Sequence, residues 1–363
     1  MLPLMVKDRR TYVTLDGLRG VAALSIVVLH AQRYTGDFTW SSAALAVDLF
    51  FVLSGFVLAH AYEAQLPAGP SLFLKARLIR LYPLYLLGTL LGIVEAILVL
   101  RYGGGSIPWT WEKFWTSLPF ALAMVPAPDK TMFPFNGVMW SIFFEFFINL
   151  VWALFWRPLQ STRVIVGVIV LSGIGLAISV YVTGTMVGLG VSWPRFVGGV
   201  FRVSYSFFLG VLLYRLHGRL RLPNLPPLLL LVSLPAVLFL PLPPYVELFV
   251  ALFVLPWFVL LGSRIEPKGL LRTISRQIGA ASYAVYTVHN RLYRLTYAAA
   301  LQFLGFDLRV WQPFIGMVFI VGLVALCLAL NRFYDKPARD WLTAKFGRRV
   351  KLAAEREEAT QAP

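Results

Sequence analysis

An imidazole, a guanidinium and a carboxylate share one helical face near the start of the chain. Asp16, Arg19 and His30 lie in the run LDGLRGVAALSIVVLH, whose other residues are almost all apolar or small. At 100° per residue, the eleven steps from Arg19 to His30 return to within about 20° of the starting direction and advance about 16 Å. Asp16 falls about 40° from His30. One helix therefore carries an ion pair near its start and a base near its end. An imidazole titrates close to neutrality, so it can take the proton of a hydroxyl that attacks an acyl group. The plainer alternative is that Asp16 and Arg19 neutralise each other at the helix entry and His30 marks an interface.

Four other segments hold polar groups in apolar surroundings. Asp48 and Ser54 lie in DLFFVLSGF, where Ser54 and Gly55 are also small enough to let helices approach. His60, further along, is expected at an interface. Arg77 and Arg80 sit three apart at a helix start; such a pair can clamp phosphates, or simply anchor the helix. Ser141, Glu145 and Asn149 are spaced by four and form one stripe, which must face a cavity or a neighbouring helix. Ser282, Tyr286, His289 and Tyr293 share a face, with Arg291 and Arg294 pointing away from it. An interrupted helix, or a water-filled cavity lined by the arginines, would account for those two.

The elements that must position these groups are membrane helices. Of 363 residues, 58% are hydrophobic and only 14% charged, against about 25% charged in soluble domains. A helix needs about 20 apolar residues to cross the hydrocarbon core. Candidate spans are roughly 15–34, 43–62, 80–100, 137–156, 164–182, 197–215, 226–241, 245–262, 278–303 and 312–333. The segment 226–241 is short and bounded by prolines. The segment 114–125 is apolar but too short, so it is expected at the interface or as a half-helix. This predicts an all-α integral membrane protein, a polytopic bundle of about ten transmembrane helices over residues 1–345, and a charged tail over 346–363. The basic start, Met1 to Arg10, lacks a small-residue cleavage site after the first apolar run, which reads as a retained helix.

The formal net charge is +16, from 33 Lys plus Arg and 17 Asp plus Glu. Alternate loops take nearly all of the cations. About 23 fall in the set containing the N-terminus and C-terminal tail, about 6 in the other, and four within helices. That asymmetry predicts an even number of spans with both termini cytoplasmic. No basic segment is long or interleaved with aromatics as nucleic-acid binding requires, so no nucleic acid is expected. Cys327 is the only cysteine and the four histidines lack close ligand spacing, so neither a disulfide nor a metal site is expected.

The ordered set LDGLRGVAALSIVVLH (15–30), AVDLFFVLSGF (46–56), RLIRLYPLY (77–85), WSIFFEF (140–146), SYAVYTVH (282–289) and YDKPARD (334–340) resembles acyltransferase family 3, the multi-spanning membrane O-acyltransferases. The resemblance spans roughly residues 10 to 340. It departs from the family at Asp335, often Glu there, and at the unusually basic NRLYRLTY after His289. The resemblance implies transfer of an acyl group, often acetyl, from cytoplasmic acyl-CoA to a hydroxyl on a cell-surface or lipid-linked glycan across the inner membrane. The family's functional residues carry over as Arg19, His30, Arg77 and Arg80. In that reading acyl-CoA is a substrate and no bound cofactor is needed. Asp16 and Glu145 support the catalytic face, and Asp48, Ser54, Ser141, Tyr286 and His289 join Arg77 and Arg80 as candidate binding groups, with pairing to an arginine as the alternative for Asp48. His30 acts as base for direct attack by the acceptor, with an acyl-imidazole intermediate as the alternative. A transporter or flippase of a polar or lipid-linked substrate is the competing class, since it too needs polar groups at membrane depth.

Overall fold

The computed structural model describes residues 11–36, 42–103, 108–220, 222–303 and 305–346; the tail expected over 346–363 lies almost wholly outside them. Eleven principal helices are described: α1 (Val13–His30), α2 (Ala46–Tyr62), α3 (Pro70–Tyr102), α4 (Trp111–Leu122), α5 (Met139–Leu154), α6 (Thr162–Thr183), α7 (Phe196–Leu216), α8 (Pro227–Phe239), α9 (Pro244–Gly262), α10 (Gly269–Phe303) and α11 (Phe314–Phe346). Helices α9 and α11 each contain a π-helical turn, Val250–Val254 and Asn331–Asp335.

Among the described residues, seven helices are long and apolar enough to cross a membrane: α1, α2, α3, α6, α7, α9 and α11, in the case of α2 and α7 counted with their lead-in turns. The chain is a multi-pass membrane protein. Helices α5 and α8 are apolar but shorter, and α10 is long but carries Arg272, Arg276, Arg291 and Arg294. The short apolar segment near residue 114 forms α4. It packs through Phe114 and Ala121 against Ala96 of α3 and Phe135.

The sequence sorts helices between centre and rim. In the apolar windows of α2 and α11, 72% and 17% of residues are buried, respectively. Helix α2 sits inside the bundle, whereas α11 offers Phe314, Met317, Val318 and Val321 to the outside, as a lipid-facing helix can at no cost. Helix α1 packs along α10 and α2 along α7. Both contacts depend on missing side chains. A Cβ on Gly20 would overlap Ile278, one on Gly55 would overlap the Phe207 carbonyl, and one on Gly210 that of Val52. In lipid, such close backbone approach replaces the hydrophobic drive between helices.

The face at which α1 begins is called the near face, and the one at which it ends the far face. Tyr12 meets His60 at the end of α2. Lys75 at the start of α3 donates to the Phe346 carbonyl at the end of α11 over 2.5 Å. The described chain thus begins and ends on the near face. Helix α3, with 33 residues, is about 50 Å long, so it outreaches a hydrocarbon core of about 30 Å.

Candidate active site

A cavity of about 350 Å³ opens between α1, α2, α3, α5 and α10, a size that suits a small-molecule ligand. Eight of the eleven residues singled out from sequence line it: Asp16, Arg19, Ser54, Arg77, Arg80, Ser141, Glu145 and Tyr286. Five helices converge because each brings one polar stripe that lipid would penalise, and the stripes satisfy one another.

The near half of the cavity is ionic. Arg19 Nη2 donates to Asp16 Oδ1 at 2.6 Å and its Nε to Ser282 Oγ at 3.0 Å, which ties α1 to α10. Arg77 Nη2 donates to Glu145 Oε1 at 2.5 Å, and Ser54 Oγ donates to the same oxygen at 3.1 Å. Arg80 Nη1 reaches Asp335 Oδ2 at 3.1 Å, an oxygen it shares with Arg339 at 2.9 Å. Asp335 is sealed, whereas the Arg80 side chain is 36% exposed. It lies over the Tyr283 ring with 5.4 Å to the centroid. Arg77 and Arg80, expected at a helix start, lie about two to three turns inside α3; each uses one guanidinium nitrogen on these carboxylates, so their forks keep donors for a further anion.

At its inner end the cavity is neutral. Ser141 and Tyr286 share a hydrogen bond of 2.6 Å between their hydroxyls, and Phe50 meets the Tyr286 ring edge-on at 5.6 Å. His289 follows one turn beyond Tyr286, with ring centroids 6.1 Å apart. His289 stacks on His30, and His289 Nε2 lies 2.9 Å from His30 Nδ1. Neither histidine lines the cavity; the stacked pair packs one turn beyond Tyr286. This corrects the reading of His30 as the lone base at that end of a polar face.

With both rings neutral, the network fixes their tautomers. His289 Nδ1 lies 3.0 Å from the Val285 carbonyl and 2.9 Å from that of Tyr286. Carbonyl oxygens only accept, so His289 Nδ1 carries its proton and Nε2 holds a lone pair. His30 Nδ1–H must then donate to His289 Nε2, which leaves His30 Nε2 bare and basic. His289 is buried and His30 half-buried. His289 is therefore positioned to orient the His30 ring.

Three further expectations are corrected. Asp48 does not line the cavity. It is fully buried against Arg202 of α7, which donates from Nε at 2.8 Å and from Nη2 at 2.6 Å. That fork also sits against Trp140, 5.5 Å from its ring centroid. His60 lines the cavity mouth rather than merely marking an interface. Helix α10 runs unbroken through Arg291 and Arg294, and both reach Glu95 of α3. Glu95 and Arg202 were the residues that sequence reading passed over. Each is a charge within an apolar span, and that alone was the available signal.

The description "acyltransferase domain" of acyltransferase family 3 matches residues 12–331. The chain belongs to this family, and it is an acyltransferase of the kind that transfers groups other than aminoacyl groups. That settles the choice between enzyme and transporter left open by the polar stripes alone. Protein 2 in the picA locus of Rhizobium radiobacter is 39% identical over 186 residues, which cover 46% of this chain and 94% of that protein. Acyltransferase MdmB of Streptomyces mycarofaciens is 30% identical over 42% of this chain and 41% of its own length. Peptidoglycan O-acetyltransferase OatA of Listeria monocytogenes is 26% identical over 48% of this chain and 30% of its own length. The chain thus aligns with less than half of the latter two proteins. No solved structure matches the chain.

Proposed function

We propose that the protein is a membrane O-acyltransferase that moves an acyl group, acetyl in the simplest case, from acyl-CoA to a hydroxyl of a cell-surface or lipid-linked glycan. The carrying observation is the histidine pair, in which His289 spends its Nδ1 proton on backbone carbonyls and leaves His30 Nε2 as a free base. Similarity to a peptidoglycan O-acetyltransferase supports the glycan class of acceptor.

In this reading the near face is cytoplasmic. It carries the basic loops, as the positive-inside rule asks. Helices α5, α8 and α10 complete ten crossings, an even number that fits a chain beginning and ending on one face. Acyl-CoA enters the cavity from this side. Arg77 and Arg80 turn their unused donors to its phosphates, and the thioester extends past Asp16 and Arg19 toward Tyr286. The acceptor arrives from the far face. Its hydroxyl oxygen attacks the thioester carbonyl while His30 Nε2 takes the hydroxyl proton. The C–S bond breaks, the new ester forms, and the departing thiolate recovers the proton as CoA-SH. His289 holds the ring in the required tautomer, as the third member of a nucleophile–base–orienter chain does.

The test is CoA release by the purified protein in lipid bilayers given labelled acetyl-CoA, with and without cell-envelope glycan, coupled to mass spectrometry of the glycan. Acceptor-dependent release with acetyl ester on the glycan supports the reading. Release that leaves every glycan unmodified sinks it.

A further inference from the structure

The far end of the bundle holds more guanidinium than carboxylate. Arg291 Nη1 contacts Glu95 Oε2, and Arg294 Nη1 lies 3.2 Å from Glu95 Oε1. Each arginine commits one nitrogen, and one anion answers two cations. The Arg291 side chain is 3% exposed and its Nε is buried with no hydrogen-bond partner. Arg294 is 30% exposed. Arg33, exposed in the helical turn Gln32–Thr35 that follows α1, lies over the Tyr297 ring at 4.9 Å, and its backbone N–H donates to the Tyr293 hydroxyl at 3.2 Å. The neighbouring carboxylate, Asp307, is already taken by Arg309 at 2.6 and 2.8 Å. Among the described residues, Arg291 and Arg294 thus share the single carboxylate of Glu95.

Its position relative to the base is informative. Arg294 follows His289 by five residues on an unbroken helix, about 7.5 Å along the axis toward the far end. A guanidinium held at membrane depth is costly unless an anion meets it. A fork with free donors at that depth can receive an oxyanion.

We propose that Arg294, backed by Arg291 and held by Glu95, is a subsite that selects an acceptor carrying an oxyanion, the carboxylate of an acidic sugar or the phosphate of a sugar phosphate. Glu95 neutralises the sealed cation and aims the exposed one. The meaning of the subsite rests on the acyl-transfer reading above, but its binding does not.

The experiment uses the full chain in phosphatidylcholine nanodiscs at low salt. Equilibrium binding is measured for methyl β-D-glucuronoside, α-D-glucose 1-phosphate and methyl β-D-glucoside, and acetyl-CoA turnover is then measured with each. At least one charged sugar should bind tenfold or more tighter than the neutral one, and which of the two binds better tells carboxylate from phosphate. Arg294→Gln keeps the Arg291–Glu95 pair and should cancel the gap; Arg294→Lys should restore part of it. Equal affinities in the wild type, including undetectable binding of all three, overturn the subsite, as does a gap that survives Arg294→Gln. Arg294 is then a side chain reaching for lipid headgroups. A charged-sugar gap with no CoA release on any sugar keeps the subsite and sinks transfer to sugars.

Discussion

Two of the ion pairs inside this bundle differ in what adjoins them. Arg202 and Asp48 close on each other with both fork nitrogens, and their side chains are 1% and 0% exposed. Arg77 and Glu145 touch through one nitrogen and line a cavity of about 350 Å³. Both would look alike in a list of membrane-embedded charges. The sealed pair spends its hydrogen bonds on itself and on the Ala44 carbonyl at 3.0 Å, so it locks α2 to α7 and faces no cavity. The open pair keeps unused donors facing empty space. Charge at membrane depth therefore marks two different things, and the adjoining void tells them apart.

The largest expected effect lies beyond both pairs. His30→Ala should lower acyl transfer by about 10²–10⁴-fold, the range of general base catalysis, while the protein still inserts and keeps its thermal profile in detergent. Full activity in that variant would remove the base from the mechanism.

Next comes the sealed pair. Asp48→Asn leaves the Arg202 guanidinium without its counter-charge, which should cost about 3–5 kcal/mol of stability, read as a lowered unfolding temperature. The protein that survives should keep its KM for acyl-CoA; a raised KM would place Asp48 back among the binding groups.

The open network should behave in the opposite sense. Arg77→Ala combined with Arg80→Ala should raise the acyl-CoA KM about tenfold or more, since charge-assisted bonds contribute about 1.5–3 kcal/mol each, with kcat moved much less. An unchanged KM in steady-state kinetics would return both arginines to anchoring.

Smallest is Tyr286→Phe. It removes one neutral hydrogen bond to Ser141 at the inner wall, worth about 1 kcal/mol, so kcat/KM should fall by less than about tenfold. Complete loss of activity would make Tyr286 a participant in proton transfer rather than part of the wall.

The stripes were legible because helical spacing is arithmetic. Period alone placed Asp16 and Arg19 on one face with His30, Ser141 and Glu145 on one stripe with Asn149, and Ser282 and Tyr286 on one face with His289 and Tyr293; all but His30, Asn149, His289 and Tyr293 line one cavity. What period cannot supply is the partner across the gap. Asp48 lay on an equally polar stretch, yet α7 brings Arg202 against it. Arg291 and Arg294 called for an interrupted helix or a water-filled cavity, but Glu95, nearly two hundred positions earlier, meets them both. His289 was read as a binding group because its face was visible and its neighbour was not.

By itself the sequence determined that this chain is helical and membrane-embedded, which residues face inward, and the family to which it belongs. Composition and period are local properties, and lipid punishes any exposed polar backbone or stripe severely enough that they suffice. Only the tertiary structure decided which charges are sealed and which open. It also decided that His30 meets His289, and which ring nitrogen is left bare. Those depend on distances of about 3 Å between helices far apart in the chain, set by close approaches such as Gly20 on Ile278, and no repeat along one strand of sequence encodes them.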